Sequence, residues 1–344
     1  MTSVRTRRHL LAVMALCATG FAGPALAQEA GPPASPPVAA PKTGTLSLLF
    51  ENDIFYNTDR DYTNGVQIAW TTTPDNTPQF DVDLAHWMPI FSQGGEVRST
   101  FSLGQNIYTP SDLHLADPPT TDRPYAGYLY LAMAVTQMSN TDLDEFQIQT
   151  GVIGPDSLAQ ESQTFVHAIL NDTIPKGWGY QLHNEPGLVL NDEHSWRALW
   201  AGKVLGLGFD VDPHVGAAIG NVYDYANAGL MGRFGLNLPN DYGPTRIDPS
   251  LPGTDFFEPT GDLSIYAFSG WDGRAVARNI FLDGNTFEDS RRVDRIPWVA
   301  DFQEGIAIAM DSWRLTFTHV FRTREFTTQQ HADQFGAINL SISM

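Results

Sequence analysis

The chain has 344 residues, 39 acidic against 20 basic side chains, a formal charge of −19 and a single cysteine, Cys17. So acidic a balance excludes nucleic-acid binding through a basic face, and one thiol excludes disulfide frameworks and cysteine zinc sites. Beyond residue 27 no run approaches the roughly 18 consecutive apolar residues of a membrane-spanning helix.

The N-terminus reads as an export signal. Arg5, Arg7 and Arg8 form a positive region, Leu10 to Phe21 an apolar one, and Ala25-Leu26-Ala27 a small-residue cleavage site. Residues 1–27 are therefore expected to be a signal peptide, which removes Cys17. Residues 28–44, QEAGPPASPPVAAPKTG, are rich in proline and alanine without apolar periodicity and are expected to form a disordered lead-in. The folded part is expected over 45–344.

From Thr45 the apolar period is two. Leu46, Leu48 and Phe50 share one face; Val66, Ile68 and Trp70 oppose Gly65, Gln67 and Ala69; Phe146, Ile148 and Val152 oppose Gln147, Gln149 and Gly151. The last segment is the clearest, with Ile338, Leu340, Ile342 and Met344 alternating with Ala337, Asn339, Ser341 and Ser343. A soluble β-sandwich alternates too. Small or polar residues on the second face and aromatics near strand ends, such as Tyr56, Tyr62, Tyr108, Tyr125 and Trp313, favour a transmembrane antiparallel β-barrel of the outer membrane. About twelve strands are predicted, at 45–53, 62–72, 98–107, 126–137, 145–154, 185–192, 203–211, 228–238, 262–272, 298–309, 312–321 and 335–344. Pro-rich 239–260 reads as a long loop.

An even strand number puts both termini in the periplasm, so the outer loops fall at 54–61, 108–125, 155–184, 212–227, 273–297 and 322–334. The polar clusters Glu51-Asn52-Asp53, Asp61-Tyr62-Thr63-Asn64-Gly65, Tyr108 to Ser111 with Asp122 to Tyr125, and Gly154-Pro155-Asp156 followed by His167 then converge on one outer rim. The connection 73–97 is longer than periplasmic turns usually are.

These residues carry a resemblance. FENDIFYNTDRDYTNG, LGQNIYTPSD with DRPYAG, GVIGPDSLAQESQTFVH and GWDGRAVARNIFLDGNTF together resemble the outer-membrane lipid A 3′-O-deacylase family, over about residues 45–344. The resemblance implies a twelve-stranded barrel with its active site at the outer rim. It also implies calcium-dependent hydrolysis of the 3′-linked acyloxyacyl group of lipid A. Residue by residue it implies catalytic roles for Asn52, Asp53, Thr63 and His167, with His167 as a general base, and calcium (Ca2+) near Asp53. A neutral imidazole can take a proton from water at neutral pH, and a hard cation held by oxygens suits ester polarisation.

Each residue also has a plainer reading. Asn-Asp at a strand end is more often turn chemistry. The Asn57 to Asp61 spacing resembles the start of an EF-hand loop, but Tyr62 stands where its glycine belongs. Ser157 to Leu170 can form a helix with Gln160, Gln163, Thr164 and His167 on one face. His86, His114, His183, His194, His214, His319 and His331 lack the context of His167. Arg123 suits a lipid A phosphate or a carboxylate, with Asp122 or Glu51 as candidate partners, and Gln163 is the second candidate substrate contact. Arg274, Arg278 and Arg291-Arg292 in the fifth outer loop are candidates to meet lipopolysaccharide. Two departures from the family pattern stand out: Ser111 to Asp117 is acidic and apolar where enteric members are basic, and Ala159 replaces a glycine. The rival readings are a non-catalytic barrel and a phospholipase-type lipid esterase of the outer membrane; oligomeric state is left open.

Overall fold

The alternation read from the sequence builds a closed antiparallel barrel. The computed structural model describes residues 42–56, 60–92, 94–171, 173–258 and 262–344. The expected signal peptide and nearly all of the expected lead-in lie outside these residues, as do Asn57 to Asp59 of the EF-hand-like stretch. The strands are β1 Gly44–Asn52, β2 Asp61–Thr72, β3 Glu96–Thr109, β4 Ala126–Met138, β5 Asp142–Ile153, β6 Glu185–Trp196, β7 Trp200–Val204, β8 Leu207–Gly220, β9 Tyr223–Leu236, β10 Ser264–Asn279, β11 Trp298–Met310, β12 Trp313–Arg322 and β13 Asp333–Ser343. β1 pairs with β13, and β6 pairs directly with β8, while β7 folds back on β8 as a short arm. The ring therefore has twelve strands.

Three expectations are corrected. The predicted strand 203–211 runs across a turn at Leu205 and Gly206, both with positive φ. The predicted loop 212–227 is mostly strand, because β8 and β9 are joined only by residues 221–222. Pro213 and the small residues of Gly216-Ala217-Ala218 disguise β8, whose Asp210, Asp212 and His214 point inward as buried polar groups. β10 also continues past 272 to Asn279, so Arg274 and Arg278 belong to a strand and not to a loop.

The two faces separate as alternation demands. Leu48, Val66, Ile68, Phe101, Leu103 and Leu131 are exposed on the outside, whereas Ser341, Asn339 and Ala337 of β13 are buried inside. The lumen is filled. Tyr62, Tyr108, Tyr128, Tyr223, Phe281 and Phe335 pack into one cluster toward the outer end, where the Tyr108 and Phe281 rings stack at 4.1 Å. Below it lie arginine–carboxylate pairs: Asp301 with Arg322 at 2.7 Å and Arg274 at 2.8 Å, and Arg233 with Asp210 at 2.7 Å. The connection between β9 and β10, expected as a loop, enters this lumen from the end that holds Gly44 and Met344. Its Arg246 reaches Glu51 at 3.0 Å, and Tyr242, Ile247, Leu251 and Phe256 are buried.

Two helices lie against the outside of the wall. α1, Gln79–Trp87, occupies the long connection after β2, and α2, Ala159–Leu170, occupies the outer connection after β5.

Candidate functional site

A strand turns successive side chains to opposite faces, and this divides the polar motifs at the outer end. Glu51 faces the lumen and meets Arg246. Asn52 falls on the opposite face, the one carrying Leu48, and pairs across the sheet with Asn64. Asn64 is followed in the same outward row by Ile107 of β3 and Gly127 of β4. At Thr63 the β2–β3 register slips, a bulge of the kind that re-aims a side chain. The Thr63 hydroxyl then meets that of Thr109 at 2.7 Å.

Asn52 and Asp53 do perform turn chemistry. Asn52 Oδ1 accepts from Ile54 N at 2.8 Å, and Asp53 Oδ2 accepts from Arg60 N at 2.7 Å. Asp53 is buried. Among the described residues no three Asp, Glu, His or Cys side chains converge as a metal-binding group. A calcium ion at Asp53 would therefore draw its other ligands from Asn52, the threonine hydroxyls or main-chain carbonyls. That all-oxygen donor set suits a hard cation.

α2 is positioned by its own sequence. Gly154 has φ +94° with the main chain of His183 against it, so a side chain there would be both strained and crowded. Pro155 opens a short turn, Ser157 Oγ donates to Gly154 O at 2.6 Å, and Asn171 closes the helix in the left-handed conformation that asparagine tolerates. The helix lies against β4 and β3. Ser157 and Ala159 fill the notch over Gly127, where a Cβ would collide with both. Ala159, at the position where a glycine was noted as usual, is thus a buried contact to the wall. Gln105 of β3 adds a 2.6 Å bond from its Nε2 to Ser157 O.

Ala159, Gln163 and His167, spaced by four, form the buried edge of α2, whereas Gln160 of the expected polar face is exposed. His167 Nδ1 lies 2.5 Å from the carbonyl oxygen of Thr173. A carbonyl can only accept, so Nδ1 carries the proton and the lone pair resides on Nε2. Gln163 Oε1 accepts from the indole Nε1 of Trp178 at 2.9 Å, and its Nε2 is buried without a partner among the described residues. Trp178 is held by Ile107, Leu113, Tyr125 and Ala159. Thr109, the partner of Thr63, lies two residues beyond Ile107 on β3, and Trp178, packed in the Ile107 cluster, reaches Gln163, one helical turn from His167.

Arg123 is placed elsewhere. It is wholly buried in the barrel mouth, 3.3 Å from Glu325 and 3.8 Å from Asp61, with its guanidinium over the Tyr108 ring. Burial works against its charge, and Glu325 and Asp61 outweigh that effect, so its pKa is raised. Of the two roles weighed for it, the structure shows the carboxylate one, with partners other than Asp122 and Glu51 side chains. The arginines expected in the fifth outer loop are similarly engaged: Arg274 of β10 with Asp272 and Asp301, Arg278 of β10 with Asn221 O, and Arg291 with Asp117 while stacked over Tyr180. Sequence reasoning did not single out Trp178 or the Thr173 carbonyl. The GWGY stretch around Trp178 was the available signal; a main-chain carbonyl leaves none.

The sequence matches the family described as outer membrane protein LpxR over residues 10–344. No curated protein matches. Among solved structures, LpxR from Salmonella typhimurium is similar at 20% identity with a TM-score of 0.71, over 87% of this chain and 100% of that one. The β domain of the Bordetella autotransporter BrkA aligns at 9% identity and a TM-score of 0.44, over 88% of this chain and 99% of that one. The first of these shares the barrel fold.

Proposed function

Because the chain belongs to the outer membrane protein LpxR family, we propose that it is a lipid A deacylase of the outer leaflet that hydrolyses the 3′-linked acyloxyacyl ester with His167 as general base. The observation that carries this reading is the orientation of His167, whose Nδ1 is tied to a main-chain carbonyl on the buried edge of a helix laid on the outer wall.

In the proposed step, His167 Nε2 takes a proton from a water as its oxygen attacks the ester carbonyl carbon. The bond from that carbon to the sugar 3′-oxygen breaks. The imidazolium returns its proton to the leaving oxygen, giving a sugar hydroxyl and a carboxylic acid. Gln163 Nε2, one helical turn from His167, is the donor available to the oxyanion, and Trp178 fixes which end of the amide it presents. Asn52, Asp53 and Thr63 would hold the calcium ion. Bound there, calcium would polarise the ester carbonyl.

The lumenal aromatic cluster, the ion pairs and the inserted β9–β10 connection weigh against a passive solute channel. The deciding experiment is mass spectrometry of lipid A from membranes carrying the wild type or His167→Ala, each with calcium or a chelator. The reading expects loss of one acyloxyacyl unit in the wild type with calcium alone. Unchanged lipid A in every sample, with the barrel folded by heat-shifted gel mobility, would overturn it.

A further inference from the structure

The connection between β2 and β3 is unusually long for the end of the barrel that holds Gly44 and Met344, where other links are as short as 139–141 and 311–312. Its described residues are firmly attached. Ser99 Oγ donates to Asp81 Oδ2 at 2.6 Å, the Thr77 hydroxyl donates to Val97 O at 2.9 Å, and Ser92 N donates to Asp144 Oδ2 at 2.8 Å. Ala85 and Phe91 pack on Val97 and Val135, joined by Met133 and Phe146. In their strands these positions share parity with Phe101, Leu131 and Ile148, the exposed outward set. α1 therefore lies outside the wall and not across its mouth.

On the side away from the wall, Phe80, Trp87 and Ile90 are 71%, 78% and 45% exposed. The height of this patch is fixed by β3, which α1 covers at Val97 and Ser99 and α2 covers at Gln105 and Ile107. Eight residues at about 3.3 Å, tilted by about 40°, separate the two helices by roughly 20 Å along the membrane normal, close to the apolar band of such barrels. The outward residues between them, Phe101 and Leu103, are apolar and exposed. α1 is thus level with the interface opposite the candidate site, where aromatic side chains are favoured.

We propose that α1 is an interfacial lipid-binding helix whose Phe80, Trp87 and Ile90 seat at the headgroup–acyl boundary of the periplasmic leaflet. The occupant is a phospholipid surface. Segment 73–95 contains Asp75, Asp81 and Asp83 but no lysine or arginine, so the contact is made by apolar insertion and not by attraction to anionic headgroups.

Cys17 is the chain's only cysteine and lies in the expected signal, so single cysteines at 80, 87 and, as an exposed control in the 139–141 turn at the same end of the barrel, 140 can be spin-labelled after export. Folded Phe80→Cys, Trp87→Cys and Asn140→Cys barrels are placed in phosphatidylcholine vesicles with and without phosphatidylglycerol. At 80 and 87 the label should be several-fold more accessible to oxygen than to a nickel chelate, unaffected by phosphatidylglycerol or salt, while 140 shows the reverse ratio. Nickel-chelate accessibility at 80 and 87 equal to that at 140 overturns the proposal. So does dipolar broadening between labels, which would assign the face to a second copy of the chain.

Discussion

Trp178→Phe tests whether the buried edge of α2 is functional machinery or only packing. The substitution keeps an aromatic ring among Ile107, Leu113, Tyr125 and Ala159 but deletes the single indole donor, 2.9 Å from Gln163 Oε1. Stranding a buried amide oxygen costs about 1–3 kcal/mol. Gln163 escapes that cost only by rotating its amide, which removes Nε2 from the position it now holds. If that donor serves the oxyanion, the turnover rate falls about five- to a hundredfold, since each 1.4 kcal/mol is tenfold. Gln163→Met should lose as much, and the double variant no more than either, because both act through one hydrogen bond. The assay is lipid A deacylation in mixed micelles at matched amounts of heat-modifiable, folded barrel. Activity of Trp178→Phe within twofold of wild type, or a double variant restored to wild-type activity by relief of the mismatch, would refute the argument.

Gly127→Val should abolish deacylation while leaving a folded barrel, because its side chain would collide with Ser157 and Ala159 outside the wall without touching the lumen; a folded and fully active variant would show that α2 need not seat there. Asp301→Ala leaves Arg322 and Arg274 without the carboxylate now at 2.7 and 2.8 Å, and should destabilise the barrel by about 3–5 kcal/mol in denaturant titrations in micelles; a loss below about 1 kcal/mol would mean that neighbouring carboxylates take over. Burial raises the pKa of Asp248 to about 6 and of Asp255 to about 7, both on the lumenal loop. A carboxyl with a raised folded pKa favours the folded arrangement when protonated, so loop docking is strongest in acid, weakens as pH rises from about 4 to about 7, and is constant above that. Hydrogen exchange of residues 245–256 should accelerate beyond the intrinsic rate between about pH 4 and 7, run parallel to it at higher pH, and lose that step in an Asp248→Asn, Asp255→Asn variant; exchange that follows the intrinsic rate throughout would contradict it.

The barrel was legible because lipid outside and polar lumen inside impose a period of two on every wall strand, and the β13 alternation from Phe335 to Ser343 is the plainest case. It failed at β8, where Pro213 and a run of small residues erase the outward signal while the inward one is carried by Asp210, Asp212 and His214, residue types that sequence reading assigns to loops. The outer clusters were located correctly at one end of β1 to β5, but their division between two faces was not read. Glu51 and Asn52 are adjacent in sequence and lie on opposite sides of the wall. The helix bearing His167 was visible from its spacing, while the partner of His167 Nδ1 is a backbone oxygen and has no sequence signature. Arg123 was read as suited to a lipid A phosphate or to a carboxylate of Asp122 or Glu51; its observed neighbours are Asp61, two strands away through β3, and Glu325, which only closure of the barrel through β13 brings near.

The division between the two faces has a mechanistic consequence. Inside, arginine–carboxylate pairs, an aromatic layer and the described part of the β9–β10 connection occupy the lumen, which on the proposed reading leaves the outer wall as the lipid's route. Outside, α2 turns Gln163 and His167 to the wall and leaves Phe165, Val166 and Ile169 exposed on its far side. Those three extend the apolar belt of Leu131 and Ile148 up to the level of the candidate site. A lipid approaching laterally would keep its acyl chains against apolar surface throughout and bring only its ester region beneath the helix. In the proposed hydrolysis water reaches His167, buried between helix and wall, from the rim. On the proposed reading this is why the base is set on a helix outside the barrel: a lumenal site would require the whole lipid to leave the bilayer, at about 0.8 kcal/mol for every methylene extracted.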